Sequence, residues 1–266
     1  MVAVFLYIGG YSISQSPAGN NRFPWADNVE FLYNAPAILH RDAIIVGDTH
    51  FGMESKLRRK GIFDEQFSLR LFGKLKELIT AYNAKRLILL GDVKEDITVL
   101  DPMTADVLAR LSLLCEVTIV RGNHDGGIER CGSAKVLPSE GFVFKGIGLM
   151  HGHSWPAREL MECEYLISGH QHPLVTMTDT LGRNHSEAVW LVAPADGKKI
   201  AARYEKFDRN IKLVLMPAFN PLVGSPINST SEERLGPVLN NNLFKLNDAL
   251  VFRLDGTRLG KLHSIK

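Results

Sequence analysis

Asp42-Ala43-Ile44-Ile45-Val46-Gly47-Asp48-Thr49-His50 is the stretch that decides the fold. A short apolar, β-branched run bounded by glycine reads as a buried strand, and the residues just beyond it are polar and able to bind metal or move protons. The same order recurs four more times. The mainly apolar residues 86–90 lead into Gly91-Asp92, and residues 116–120 lead, after Arg121, into Gly122-Asn123-His124-Asp125. Residues 146–150 end at His151-Gly152-His153, and residues 165–168 end at Gly169-His170-Gln171-His172. Six of the nine histidines therefore stand after apolar strands. In α/β sheets that carboxyl edge is where sites assemble.

Between the first three strands lie helical patterns. Residues 64–81 carry Phe67, Leu69, Leu71, Leu75, Leu78 and Ile79 at near-helical spacing, and residues 105–114 repeat the pattern. With strands at 29–33 and 37–46, the latter broken near Arg41, the first half reads β-α-β-α-β with parallel strands. The second half is richer in strand, with runs at 142–150, 164–168, 188–192, 211–215, 249–254 and 258–263 and a short helix near Pro156. Asp255-Gly256 marks a hairpin turn. Residues 218–248 read as a long irregular segment, and residues 1–28, rich in Gly, Ser, Asn and Pro, as an N-terminal extension. The expected architecture is a single α/β domain over 29–266, with two stacked sheets and outer helices.

Composition narrows the function classes. The 266 residues carry 31 Lys+Arg against 29 Asp+Glu, so no strongly basic nucleic-acid arm is present. Cys115, Cys131 and Cys163 are widely spaced and odd in number, which excludes a disulfide framework or thiolate zinc site and fits a reducing cytoplasm. The apolar start, Val2 to Ile8, lacks a basic flank and is too short to span a bilayer. His40, His185 and His263 lie outside the strand-end blocks and are expected at the surface.

Seven candidate ligands stand at the strand ends: Asp48, His50, Asp92, Asn123, His151, His170 and His172. In an extended segment residues i and i+2 share a side, so Asp48 and His50 can share a metal, as can His170 and His172. Carboxylate, amide and imidazole donors without thiolate suit borderline-to-hard cations. Seven ligands exceed what one tetrahedral ion needs, and two divalent cations sharing a carboxylate is the simplest solution.

The ordered set Asp48-x-His50, Gly91-Asp92, Gly122-Asn123-His124-Asp125, His151-Gly152 and Gly169-His170-x-His172 resembles the five signature blocks of calcineurin-like metallophosphoesterases. More narrowly, Asp48-Thr49-His50-Phe51-Gly52, Arg58-Arg59-Lys60-Gly61-Ile62, Gly91-Asp92-Val93-Lys94 and Pro217-Ala218-Phe219-Asn220 are similar to the archaeal SbcD-related phosphoesterases. The resemblance implies a four-layer α-β-β-α sandwich. It implies that Asp48, His50 and His172 hold one ion, that Asn123, His151 and His170 hold the other, and that Asp92 bridges. His124 would be the catalytic histidine, oriented by Asp125. The cations would be manganese foremost, with iron, zinc or nickel as alternatives.

The implied activity is phosphoester hydrolysis, foremost of a phosphodiester, by in-line attack of a metal-bridging hydroxide with His124 as general acid. Arg58, Arg59 and His153 are candidate substrate contacts. A DNA or RNA nuclease is one alternative, and a non-catalytic metal-binding scaffold is another.

Overall fold

The computed structural model describes residues 29–178, 181–227 and 236–265. The expected extension 1–28 lies outside the described residues. The first sheet has six strands in simple order: β1 (Glu30–Phe31), β2 (Ile38–His40), β3 (Ala43–Val46), β4 (Arg86–Leu90), β5 (Glu116–Val120) and β6 (Lys135–Leu137). β1, β2 and β3 pair antiparallel, and β3 to β6 pair parallel. Parallel pairing needs crossovers. Helices α1 (Glu54–Arg59) and α2 (Phe67–Ala81) lie between β3 and β4, and α3 (Pro102–Ser112) between β4 and β5.

α2 forms because Phe67, Leu71, Leu75, Leu78 and Ile79 make one buried stripe. α3 begins three residues before the expected start. Asp101 caps it, its Oδ1 accepting the Thr104 amide at 3.0 Å, and Pro102 sits at a position where a missing N–H costs nothing. The stripes of both helices pack on one face of the first sheet, in a core holding Ile44, Val46, Leu87, Leu89 and Ile119.

The second sheet has nine strands. They are β7 (Phe142–Phe144), β8 (Ile147–Met150), β9 (Tyr165–Ser168), β10 (Pro173–Thr178), β11 (Asn184–Pro194), β12 (Lys212–Leu215), β13 (Ser225–Pro226), β14 (Leu250–Arg253) and β15 (Arg258–Lys261). The single strand expected over 142–150 is a hairpin. Lys145 and Gly146 both adopt positive φ (48° and 91°), the requirement of a tight two-residue turn. The helix expected near Pro156 is a 3-10 turn, Arg158–Glu162.

Residues 218–248 are less irregular than expected. Their described parts contain β13, the short helix α5 (Gly236–Asn240) and a 3-10 turn, Leu246–Asp248. A further short helix, α4 (Gly197–Ala201), joins α5 on the outer core.

The inner faces of the two sheets meet in a core of their own. Ile45, Ile88, Leu90 and Val120 from the first sheet pack with Leu149, Ile167, Trp190 and Val214 from the second. The order is helices, sheet, sheet, helices. Stacking places the carboxyl ends of β3, β4, β5, β8 and β9 along one seam.

Two departures from the expected pattern have physical reasons. His40 is 1% exposed instead of lying at the surface, because the β7–β8 hairpin covers the end of β2 and the Lys145 carbonyl lies 3.2 Å from His40 Nε2. β6 and β10 are strands that no apolar run marks, since both are partly exposed along their length.

Candidate metal centre

The loops after the strands are held in a conformation that side chains rarely adopt. Asp48 (φ 58°), His50 (44°), Asp92 (46°), His170 (70°) and His172 (44°) are all left-handed. Each such residue costs about 1–3 kcal/mol and persists only when its surroundings over-determine it. Here they do. The Asp48 amide donates to the Gly91 carbonyl at 3.1 Å and the His50 amide to the Asp92 carbonyl at 2.9 Å, after which Phe51 and Lys94 resume parallel pairing. The convergence of Asp48 and His50 thus comes from a sharp turn, not from the extended alternation that the sequence suggested.

Other loops lock the turns in place. The Phe219 and Asn220 amides donate to the Gly47 and Asp48 carbonyls at 2.9 and 3.2 Å, and the buried Asn220 side chain donates to the Thr49 carbonyl at 3.1 Å. Both Asp48 carboxylate oxygens lie near the His170 amide, at 3.1 and 3.2 Å. Gly122 is obligatory for contact. A Cβ there would overlap the Asp92 amide nitrogen and Oδ1.

Two groups of potential ligands share Asp92, and they divide His170 from His172, which the spacing had allowed on one ion. Asp48, His50, Asp92 and His172 offer ligand atoms within 4.8 Å of one another, as do Asp92, His151 and His170. Asp92 belongs to both. The exposed Asn123 adds its Oδ1 at 3.1 Å from His151 Nε2. All seven expected ligands therefore lie at one seam.

The buried atoms are unsatisfied in the way a cation would cure. Both ring nitrogens of His50 and the Nε2 of His172 are buried without a hydrogen bond, although His172 Nε2 lies 3.0 Å from Asp48 Oδ1. His151 is more telling. Its Nδ1 is 2.7 Å from the Leu90 carbonyl, which can only accept, so that nitrogen carries the proton. The Nε2 lone pair then faces Asp92 Oδ1 at 3.3 Å and Asn123 Oδ1 at 3.1 Å. Such a cluster requires either a second proton or a metal ion on Nε2.

The protonation directions express the same tension. Burial alone would lower the His151 pKa, but the bond and charge of Asp92 and the charge of Asp48 carry it up to about 9. Burial alone would raise Asp48 and Asp92; the facing imidazoles, His172 and His151 respectively, hold both below the usual carboxylate value. His170 is pushed down to about 4 by burial and by the charge of His151. Nitrogen and oxygen donors with two buried carboxylates suit divalent cations. The residues fit the group that the fold implies.

His124 lies beside the first group, its ring 5.1 Å from that of His50. Its Nδ1 is 2.8 Å from the Glu95 carbonyl, which leaves Nε2 uncommitted. Here the expectation for Asp125 needs correction. Asp125 is fully buried, and its carboxylate accepts the Val93 and Gly122 amides, each at 2.8 Å. It shapes the loop, and the Glu95 carbonyl orients the ring. Each Asp125 oxygen is turned to a backbone amide, so the carboxylate braces the loop and not the imidazole.

His153 flanks the other group, with its ring 5.2 Å from that of His151 and 6.1 Å from that of His170. Arg58 and Arg59 are exposed on α1, and Arg58 engages both oxygens of Glu65 at 2.6 Å. Glu95 is the residue that the sequence did not single out. It lies 2.9 Å from His50 Nδ1 and 2.5 Å from Lys56 Nζ, and these partners outweigh burial to bring its carboxyl down to about 2.

Comparison with known proteins bears on the fold and the family. Among solved structures, the Pseudomonas putida nuclease MPE matches with a TM-score of 0.52 at 20% identity, over 83% of this chain and 89% of that one. Yfce, a phosphoesterase from E. coli, matches with a TM-score of 0.39 at 14% identity, over 82% of this chain and 97% of that one. No curated protein sequence matched. Among the described residues, no helix is long and apolar enough to cross a membrane. The model of the calcineurin-like phosphoesterase superfamily domain matches residues 42–198, more than half of the sequence, and these include every one of the seven ligand candidates, so the chain belongs to that superfamily of metal-dependent phosphoester hydrolases.

Proposed function

We propose that the chain is a dinuclear-metal phosphodiesterase in which His124 protonates the leaving alkoxide. The observation that carries this reading is the sharing of Asp92 by two ligand groups, with an imidazole beside them that has one nitrogen committed and one free. Divalent cations, manganese foremost and iron, zinc or nickel as alternatives, would supply Lewis acidity to a water nucleophile and to the phosphoryl oxygens. The chain supplies the rest. Asp48 and Asp92 offset cation charge, and the Leu90 carbonyl keeps His151 in the tautomer that offers Nε2. The Glu95 carbonyl accepts the His124 Nδ1–H and so sets the direction of the ring, and Nε2 of the doubly protonated ring can act as general acid. Asp125 holds the loop that aims this ring.

The direct test is hydrolysis of a bis-aryl phosphodiester and an aryl phosphomonoester, with Mn²⁺ and with chelator. Metal-dependent turnover that favours the diester is the expected result. Absence of turnover on both esters and on single- and double-stranded DNA, with both cations bound, would instead make the chain a metal-binding scaffold.

A nucleic-acid strand is a second reading, favoured by the position of α1. Lys56 contacts Glu95 at the site, and Arg59 and Lys60 lie exposed just beyond it. Strand binding through such residues weakens with salt, because phosphate contacts release counterions. Cleavage of DNA or RNA indifferent to salt would weaken that reading.

A further inference from the structure

Glu95 faces the site with three of its atoms. Oε2 lies 2.9 Å from His50 Nδ1, Oε1 lies 2.5 Å from Lys56 Nζ, and the backbone carbonyl lies 2.8 Å from His124 Nδ1. The side chain is only 11% exposed, so its charge is largely removed from water and needs these partners. It belongs to neither of the two groups built on Asp92.

His50, Glu95 and His124 themselves offer ligand atoms within 4.8 Å, which raises the question of a third cation. Two contacts argue against one. The Lys56 ammonium already occupies Glu95 Oε1, and a divalent ion beside it would face a like charge. His124 Nδ1 already bonds the carbonyl. The cluster holds an internal cation, and its remaining oxygen is left for His50.

On the His50 ring, Nε2 lies 3.8 Å from Asp92 Oδ2 and neither nitrogen has an aligned hydrogen bond. An imidazole that binds a metal through one nitrogen nearly always gives the N–H of the other to a carboxylate, carbonyl or water. Glu95 Oε2 is the acceptor within reach of Nδ1. We infer that Glu95 is a positioning residue for the cation held by Asp48, His50, Asp92 and His172. Its carboxylate takes the Nδ1–H of His50 and so reserves Nε2 for the ion, while Lys56 neutralises its other oxygen. The same residue orients His124 through its carbonyl, so one side chain and one peptide group tie a ligand and the proton donor together. This rests on the two-cation reading above.

The test is a Mn²⁺ titration of the metal-free full chain, read by calorimetry and by the spin resonance of free Mn²⁺. His172→Ala and His170→Ala mark which affinity belongs to which group. Glu95→Ala is expected to weaken the His172-marked affinity by about 10–100-fold, the usual effect of losing such a partner. The His170-marked affinity should stay near the unmodified value. Glu95→Gln should recover much of the loss, because its amide oxygen can accept the same N–H. Lys56→Met, at a half-exposed surface position, should move the same affinity alone. Unchanged affinities in Glu95→Ala overturn the inference. So does an equal weakening of both sites with a fall in the Tm of the metal-free protein, which is the signature of a general structural role. If the unmodified chain binds fewer than two ions, the two-cation reading fails first and the inference with it.

Discussion

The two ends of the site are built from the same parts and held differently. At one end His124 stands beside the ligand candidate His50, and at the other His153 stands beside His151, with ring separations of 5.1 and 5.2 Å. His124 has its Nδ1 fixed on the Glu95 carbonyl, whereas the Nδ1 of His153 is buried without a hydrogen bond. An imidazole with one nitrogen committed has a defined tautomer and a defined direction for the other. Proximity to the ligand groups is therefore shared by both ends, and orientation is not. The shared component is Asp92.

Removing that shared component should have the largest effect. Asp92→Asn strips one charge from both ligand groups at once and should cost on the order of 10³-fold in kcat/KM, with Mn²⁺ stoichiometry falling below two. Turnover and stoichiometry like those of the unmodified protein would show that the two groups do not depend on a common carboxylate. His124→Ala ranks second and separates the two ends. It should lower kcat by about 10²–10⁴-fold on an alkyl ester while both ions still bind. The loss should shrink when the leaving group is a phenol of low pKa, which needs no proton. A loss that is independent of the leaving group would assign His124 to the phosphoryl oxygens rather than to the departing one.

A proton count probes both ligand groups at once. In the metal-free protein His151 is raised to about 9, whereas His170 in the same group is lowered to about 4. A pKa raised on folding contributes stability that is fully present below the ordinary imidazole value of about 6.5 and is lost as pH rises through about 9. Metal must replace that proton on Nε2. Binding of Mn²⁺ at pH 7.5 should therefore release at least about one proton, with affinity rising toward pH 9. His172, whose pKa is also raised, adds to the count, and His170 does not. Calorimetry in two buffers of different ionisation enthalpy measures the release, and a count of zero would contradict the His151 geometry.

Much of this was legible in the sequence because each ligand stands just after an apolar run, and burial enforces both features together. The parallel strands β3, β4 and β5 are buried on both faces and read as continuous apolar segments. β10 and the start of β11 did not, since Pro173 opens one and the exposed Asn184, His185 and Ser186 open the other. A strand that packs against little carries no hydrophobic signature. The left-handed turns at Asp48 and Asp92 were invisible for a different reason. Aspartate tolerates positive φ but does not require it, and loops distant in sequence, such as that of Asn220, hold the turn at Asp48. Glu95 escaped notice because an acidic residue in a charged run such as Lys94-Glu95-Asp96 is usually solvated, and only the approach of Lys56 and His50 reveals its burial.

The smallest expected effect belongs to His153, and it sharpens the comparison most finely. Burial, aided by the charge of His151, lowers its pKa, so the ring is neutral near pH 7 and carries a single N–H. A neutral ring without a fixed tautomer can contact a phosphoryl oxygen, yet it cannot be a ready acid. His153→Ala should therefore cost no more than about tenfold, the size of one neutral hydrogen bond, and the loss should fall mainly on KM. It should also be indifferent to the leaving group, unlike that of His124→Ala. Gly152 carries φ 124° and its carbonyl is packed against Gly236, which fixes the backbone beside His153 and lets the alanine variant test the ring alone. A loss near that of His124→Ala, with the same dependence on the leaving group, would mean that the uncommitted ring also delivers a proton and that the two ends are equivalent after all.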